Sequence, residues 1–190
     1  MKVGAKLATD FPEYRRSIIS YLCRTRATHW EIDVRTSSAK ALELISADSE
    51  CLEILLEHVP ALISDAKCEN NDFRTHGGVL ALGATFRYFI EKSPEKMEEI
   101  KEIVSNLIGS RHFSKPDDMS HLIRPSILML LTEYAKYARR INSGLEEFSN
   151  WLTAIQTSVL KMGTMIQSRK FQMLKGLCLQ VRVNFYALQN

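Results

Sequence analysis

The sequence predicts an all-α protein. Apolar residues recur at helical spacing along most of the 190 residues, and no stretch combines strict apolar–polar alternation with the tight turn dipeptides of hairpins. Prolines, glycines and clusters of polar residues interrupt the periodic segments. These observations divide the chain into eight predicted helices, which begin near Pro12, Asp33, Ser49, Asp72, Ser93, Met119, Leu145 and Ser168.

Local signals support several of these boundaries. Asp10 is a possible N-cap for the first helix, which is predicted to end near Cys23. Pro60 falls inside the third helix, predicted for residues 49–63, and is expected to kink that helix or end it early. Ser93 is predicted to cap the fifth helix through its hydroxyl, because the proline that follows suits a first helical position. Apolar spacing continues across Pro125, so we expect one kinked helix there.

A short repeat indicates how the helices are arranged. The Asp-Val-Arg triplet at 33–35 recurs as Asp-Phe-Arg at 72–74, an offset of 39 residues, and each triplet opens the second helix of a pair. HEAT and armadillo units repeat about every 40 to 47 residues, and one helix pair must stack on neighbours to bury its apolar face. The sequence therefore predicts a HEAT/armadillo-like α-solenoid of about four helix pairs, with a compact helical bundle as the alternative. The predicted repeats, part of a longer solenoid, cover residues 10–48, 49–92, 93–141 and 142–190.

Composition and motifs restrict the function classes. A formal net charge of +3 is too small for a typical nucleic-acid-binding domain, and the longest aliphatic run is far too short to span a membrane. Four irregularly spaced cysteines suggest neither a metal site nor disulfides, and they fit a reducing, cytoplasmic location. The chain has no phosphate-binding loop, dinucleotide fingerprint, metalloprotease motif or nucleophile elbow. We therefore expect a non-enzymatic protein with no cofactor.

The charges are unevenly distributed along the chain. Residues 1–30 carry a net +4, residues 31–110 a net −7 and residues 111–190 a net +6. The terminal segment includes Lys170 and Lys175 and has no acidic residue after Lys161. A solvated basic helix face is the favoured interpretation, and attraction to an acidic partner is the alternative.

The remaining candidates are residues of the types that dominate protein interfaces. Trp30 and Trp151 could form binding hot spots, although tryptophan also fills cores, and packing is the favoured interpretation of Trp30. Arg35 and Arg74 occupy matching triplet positions. A structural ladder between Asp and Arg of neighbouring repeats is favoured for them over contact with a partner. Gly77, Gly78 and Gly83 lie within one predicted helix, where close helix packing is favoured over phosphate binding.

Several of these motifs together resemble the middle HEAT region of the tubulin-folding cofactor D family. In chain order they are Phe11-Pro12-Glu13-Tyr14, His29-Trp30, Arg35 with Ala39 and Ala41-Leu42, Arg74-Thr75-His76-Gly77-Gly78-Val79-Leu80-Ala81, Leu122-Ile123-Arg124, and Trp151-Leu152. Each motif is short, whereas their order and spacing cover nearly the whole chain. The resemblance adds His76 to the candidate residues for partner binding or a repeat ladder.

The resemblance implies a chaperone role. It implies capture of β-tubulin, assembly of the α/β-tubulin dimer, and cooperation with tubulin cofactors C and E and an Arf-like small GTPase. In such complexes this chain would promote GTP hydrolysis by its partners rather than catalyse it. A cytoplasmic location, including the cytoskeleton or centrosome, follows from the same resemblance. A HEAT adaptor of the importin or phosphatase-scaffold type is the alternative function.

Overall fold

The computed structural model describes residues 2–110, 120–141 and 145–163, and all regular structure in these ranges is helical. The helices are α1 Lys2–Asp10, α2 Pro12–Tyr21, α3 Ile32–Ile45, α4 Ser49–Leu56, α5 Val59–Ala66, α6 Asp72–Lys92, α7 Met97–Gly109, α8 Ser120–Arg140 and α9 Leu145–Gly163. A π-helical turn, Leu22–Arg26, continues α2, and a 3₁₀ turn, Pro94–Lys96, leads into α7. The prediction of an all-α fold is confirmed for the described residues.

The chain divides into two compact units, Met1–Ile103 and Val104–Asn190. The predicted repeat boundaries stay predictions. The break predicted at 114–118 and the eighth helix predicted from Ser168 lie outside the described residues. No helix in the described ranges is both long and apolar enough to cross a bilayer.

In the first unit, α6 packs against both α3 and α5. Helix α1 contacts α2 and α3, and α2 also contacts α4. The core between them is aliphatic and aromatic, as the periodicity predicts. Its fully buried side chains include Ile19, Leu42, Ile45, Leu55, Leu62, Leu82, Phe86 and Phe89.

Two consecutive glycines allow α6 to approach its neighbours closely. A Cβ atom at Gly77 would lie 1.6 Å from the carbonyl oxygen of Ala27, just after the π-helical turn. A Cβ atom at Gly78 would lie 2.5 Å from the backbone nitrogen of Ala66, the last residue of α5. Both contacts are with backbone atoms, which cannot move aside as a flexible side chain can. The prediction that these glycines serve helix packing is confirmed.

Helix boundaries follow the sequence signals in part. The predicted third helix ends early, at Leu56, and α5 begins at Val59 with Pro60 in its first turn, as Pro60 predicts. The N-cap predicted at Asp10 is wrong, whereas Ser93 does occupy an N-cap position with Pro94 at the start of the 3₁₀ turn, as predicted, although not through its hydroxyl. Asp10 closes α1, a helix that the sequence did not predict, and the Ser93 side chain makes no capping hydrogen bond.

In the second unit, α8 continues through Pro125, so the prediction of one helix across this proline is confirmed. Aromatic side chains join α8 to α9. The Tyr134 ring lies edge-on to Trp151 with 5.1 Å between ring centroids, and it stacks on Phe148 at 6.4 Å. The Trp151 indole N–H donates a hydrogen bond of 3.0 Å to the Ser105 hydroxyl in α7.

Candidate functional site

A buried arginine joins α3 to α6 in the first unit. The Arg35 Nε–H donates a 2.9 Å hydrogen bond to Nδ1 of His76, and Nη1 donates to the carbonyl oxygens of His29 and Trp30 at 2.6 and 2.8 Å. Because Nδ1 of His76 accepts a hydrogen bond, that nitrogen carries no proton in this arrangement. We call Arg35, His76, His29 and Trp30 the arginine clamp.

The clamp holds an arginine away from water. Arg35 is 1% exposed, and its burial lowers the pKa of the guanidinium, which nevertheless stays protonated at any physiological pH. The guanidinium carbon also lies 5.2 Å from the centroid of the Phe73 ring, a cation–π distance. The backbone of α6 can come this close because Gly77 has no side chain. The clamp and the glycine contact thus fix the same junction.

The clamp presents one large aromatic side chain to solvent. The Trp30 backbone carbonyl is held by Arg35, whereas its side chain is 69% exposed and contacts the His29 ring at 5.4 Å between centroids. Packing, the interpretation that the sequence favoured for Trp30, is therefore wrong. Just before α3, the backbone carbonyls of His29 and Trp30 accept hydrogen bonds from the buried Arg35, whereas the Trp30 side chain lies in solvent. Phe73, at the start of α6, is also exposed.

The second triplet arginine makes a different contact. Arg74 donates from Nε and Nη2 to Oδ1 of Asp65 at 2.7 and 2.5 Å, and Asp65 belongs to α5, within the same predicted repeat. Arg35 does reach from one predicted repeat to the next, but its partner is a histidine. The predicted Asp–Arg ladder between neighbouring repeats is therefore wrong in its partners. The two arginines at matching triplet positions thus have different partners: Arg35 bonds a histidine and Arg74 bonds an aspartate.

The other predicted candidates lie elsewhere. Trp151 is 9% exposed and belongs to the core of the second unit, so little of its side chain is available to a partner. Lys170 and Lys175 lie outside the described residues. Phe73 was not singled out from the sequence. Its position in the middle of the recurring triplet, where the first copy has Val34, is the signal that could have identified it.

Buried titratable groups in the first unit have shifted pKa values. Burial raises the pKa of the Cys23 thiol to about 12 and that of Cys51 to about 11, so both are protonated and weakly nucleophilic at neutral pH. Burial also lowers the pKa of His58. In the described part of the chain, no three His, Cys, Asp or Glu side chains converge as a metal site would require.

Comparison of the chain with protein-family models, curated proteins and solved structures found no match. The assignment of function therefore depends on the residues themselves. What the geometry offers is two exposed aromatic side chains around one buried arginine: Arg35 holds the backbone carbonyl of Trp30 and lies over the ring of Phe73.

Proposed function

We propose that this chain is a non-catalytic scaffold of HEAT type that acts as a tubulin-folding cofactor. In this role it binds β-tubulin and assists assembly of the α/β-tubulin dimer, together with cofactors C and E and an Arf-like GTPase. GTP hydrolysis would belong to those partners. The proposed location is the cytoplasm, including the cytoskeleton and centrosome.

The helix contacts of the first unit support stacking of repeats. In a HEAT stack, the second helices of successive pairs are neighbours, and so are the first helices. Here α3 lies against both α1 and α6, while α2 lies against α4. If α1 is the second helix of a preceding pair, these contacts follow the order of a stack.

The convergence of three of the motifs that carry the family resemblance supports the more specific role. His29, Trp30, Arg35, His76 and Gly77 are spread over 49 positions of the sequence and meet at one junction. The motifs Phe11-Pro12-Glu13-Tyr14, Leu122-Ile123-Arg124 and Trp151-Leu152 contribute no residue to these contacts. The junction therefore supports the middle part of the resemblance.

The exposed side chain of Trp30 is the observation that carries the binding proposal. Tryptophan is enriched in the hot spots of protein interfaces, and a fixed backbone reduces the entropy lost when its side chain becomes ordered. Phe73, at the start of α6, is a second exposed aromatic side chain that contacts Arg35. We assign the contact with tubulin to these two side chains.

A pull-down separates the proposal from its alternatives. The purified chain is immobilised and exposed first to pure α/β-tubulin and then to cytosol, with bound proteins identified by mass spectrometry. We expect tubulin in the first experiment, and tubulin with its cofactors and the small GTPase in the second. A diverse set of cargo proteins without tubulin would instead indicate an importin- or phosphatase-type adaptor, and turnover of a metabolite would indicate an enzyme.

A further inference from the structure

An open apolar groove lies on the first unit, between α1, α2, the π-helical turn and α3, on a surface that the arginine clamp does not use. Its volume is about 630 Å³. Its lining side chains are mostly apolar or aromatic: Leu7, Tyr14, Ser17, Ile18, Tyr21, Leu22, Arg26, Ser37, Ser38 and Ala41. We propose that this groove binds an acidic amphipathic helix of a partner protein.

The shape of the groove favours a helix over a small molecule. Tyr14 and Tyr21 line it and are 58% and 52% exposed, so the groove is open along its length rather than enclosed. Small-molecule sites usually bury most of the ligand surface, which this groove cannot do. Its α2 wall, from Tyr14 to Leu22, spans about 12 Å at the usual helical rise. Two turns of a docked helix, with apolar residues at i, i+4 and i+7, match this length.

The charge of the groove indicates the charge that its partner should carry. Arg26 is the only charged residue among those that line it, and within the described residues it forms no ion pair. Its guanidinium lies 5.9 Å from the centroid of the Tyr21 ring, at the end of α2. A carboxylate at one end of the docked helix would pair with Arg26 next to this ring.

Two arginines of α2, Arg15 and Arg16, are already paired. Arg15 bonds Glu50 and the Ala8 carbonyl, and Arg16 bonds both carboxylate oxygens of Glu57. These pairs tie α2 to α4, on the side where those two helices meet. Arg26 therefore differs from them in both position and availability. Arg24, two residues earlier in the π-helical turn, does not line the groove and provides a matched control.

The test uses three designed 14-residue helical peptides labelled with fluorescein. The first carries leucines at i, i+4 and i+7 and two glutamates near one end, the second has lysines in place of the glutamates, and the third has serines in place of the leucines. Binding to the full chain is measured by fluorescence anisotropy at physiological salt. We expect the glutamate peptide to bind about tenfold more tightly than the lysine peptide. The serine peptide is expected not to bind.

Variants locate the site. Arg26→Glu is expected to reverse the order of the glutamate and lysine peptides, and Tyr14→Ala to weaken both at least about threefold. Arg24→Glu is expected to leave the order unchanged, and circular dichroism verifies that each variant is folded. Equal affinity for the two charged peptides, or the same response to Arg24→Glu and Arg26→Glu, would overturn the proposal. So would a concentration-dependent dimer that Tyr14→Ala dissociates, because a second copy would then fill the groove. The tubulin experiment above is unaffected by any of these results.

Discussion

Two histidines of the first unit are both buried but differ in the hydrogen bonds that their ring nitrogens make. His76 is 3% exposed and His58 is 6% exposed, so both rings are withdrawn from water to a similar extent. Nδ1 of His76 accepts a hydrogen bond from Arg35, whereas neither ring nitrogen of His58 has a hydrogen-bond partner among the residues that the structure describes. A buried polar group without a partner costs about 1 to 3 kcal/mol. The α3–α6 junction is therefore strengthened by its histidine, and the α4–α5 junction is weakened by its own.

The surroundings of His58 also oppose its protonation. Burial is the largest cause of its lowered pKa, and the positive charges of Arg24 and Arg16 add to it, while Glu57 acts in the opposite direction. The His76 ring differs in that it accepts a hydrogen bond from a permanent cation. Similar burial thus gives one histidine whose ring is held by a hydrogen bond and one whose lowered pKa makes the fold sensitive to acid.

The largest effect is expected from Gly77→Ala, which would break the junction at His76. The added Cβ would overlap the Ala27 carbonyl oxygen, and neither backbone can yield without opening the arginine clamp. We expect a loss of more than about 3 kcal/mol in the free energy of unfolding, above the usual range for overpacking. Urea unfolding followed by circular dichroism measures it. Gly109→Ala is the matched control, since no atom lies within 4 Å of its added Cβ. A similar loss in both variants would mean that the close contact is not what matters.

Removal of the arginine is expected to have the next largest effect. Arg35→Met fills similar space but leaves Nδ1 of His76 and the carbonyls of His29 and Trp30 without their donor. We expect a loss of about 2 to 3 kcal/mol by urea unfolding. Arg87→Met is the control, because the Arg87–Glu43 pair is exposed and such pairs contribute less than about 1 kcal/mol. Equal, small losses would show that the clamp is not structural.

His58 is expected to have the smallest effect at neutral pH and a characteristic pH dependence. Its folded pKa lies below the value of about 6.5 for the unfolded chain, so the unfolded state takes up the proton more readily. The contribution to stability is complete above about pH 6.5 and is lost as the pH falls from there through the folded pKa.

His58→Leu should flatten this dependence and raise the free energy of unfolding at pH 7.5 by about 1 kcal/mol. Urea unfolding at a series of pH values between 7.5 and 5 measures both effects. His121→Gln, which changes an exposed histidine, should leave the pH dependence as it is. If the His58 variant loses stability at pH 7.5 and keeps the slope, the proposed difference between the two histidines does not hold.

The sequence predicted the helices well because periodicity and punctuation are local. Pro60 marks the break between α4 and α5, whereas the helical spacing across Pro125 was enough to predict one helix there. α1 was missed because it has few apolar residues, and its contacts with α2 and α3 hold it in place. Such tertiary stabilisation is not visible in a short segment.

The candidate site was predictable in its residues but not in its contacts. Arg35 and His76 were both identified, yet their hydrogen bond joins positions 41 residues apart and depends on the close approach at Gly77. Periodicity says which residues share a helix face, and not which side chain of another helix lies opposite. Trp30 was interpreted as a packing residue for the same reason. Its exposure follows from how the segment before α3 turns, which no local pattern encodes.

The binding of α/β-tubulin by Trp30 variants tests the account most directly. Biolayer interferometry at physiological salt compares the unaltered chain with Trp30→Ala and with Leu44→Ala, a control that truncates another exposed apolar side chain of the first unit. We predict that Trp30→Ala weakens binding at least about tenfold with its fold intact, and that Leu44→Ala changes the Kd by less than about twofold. Undiminished binding by Trp30→Ala, or no tubulin binding by the unaltered chain, would contradict it.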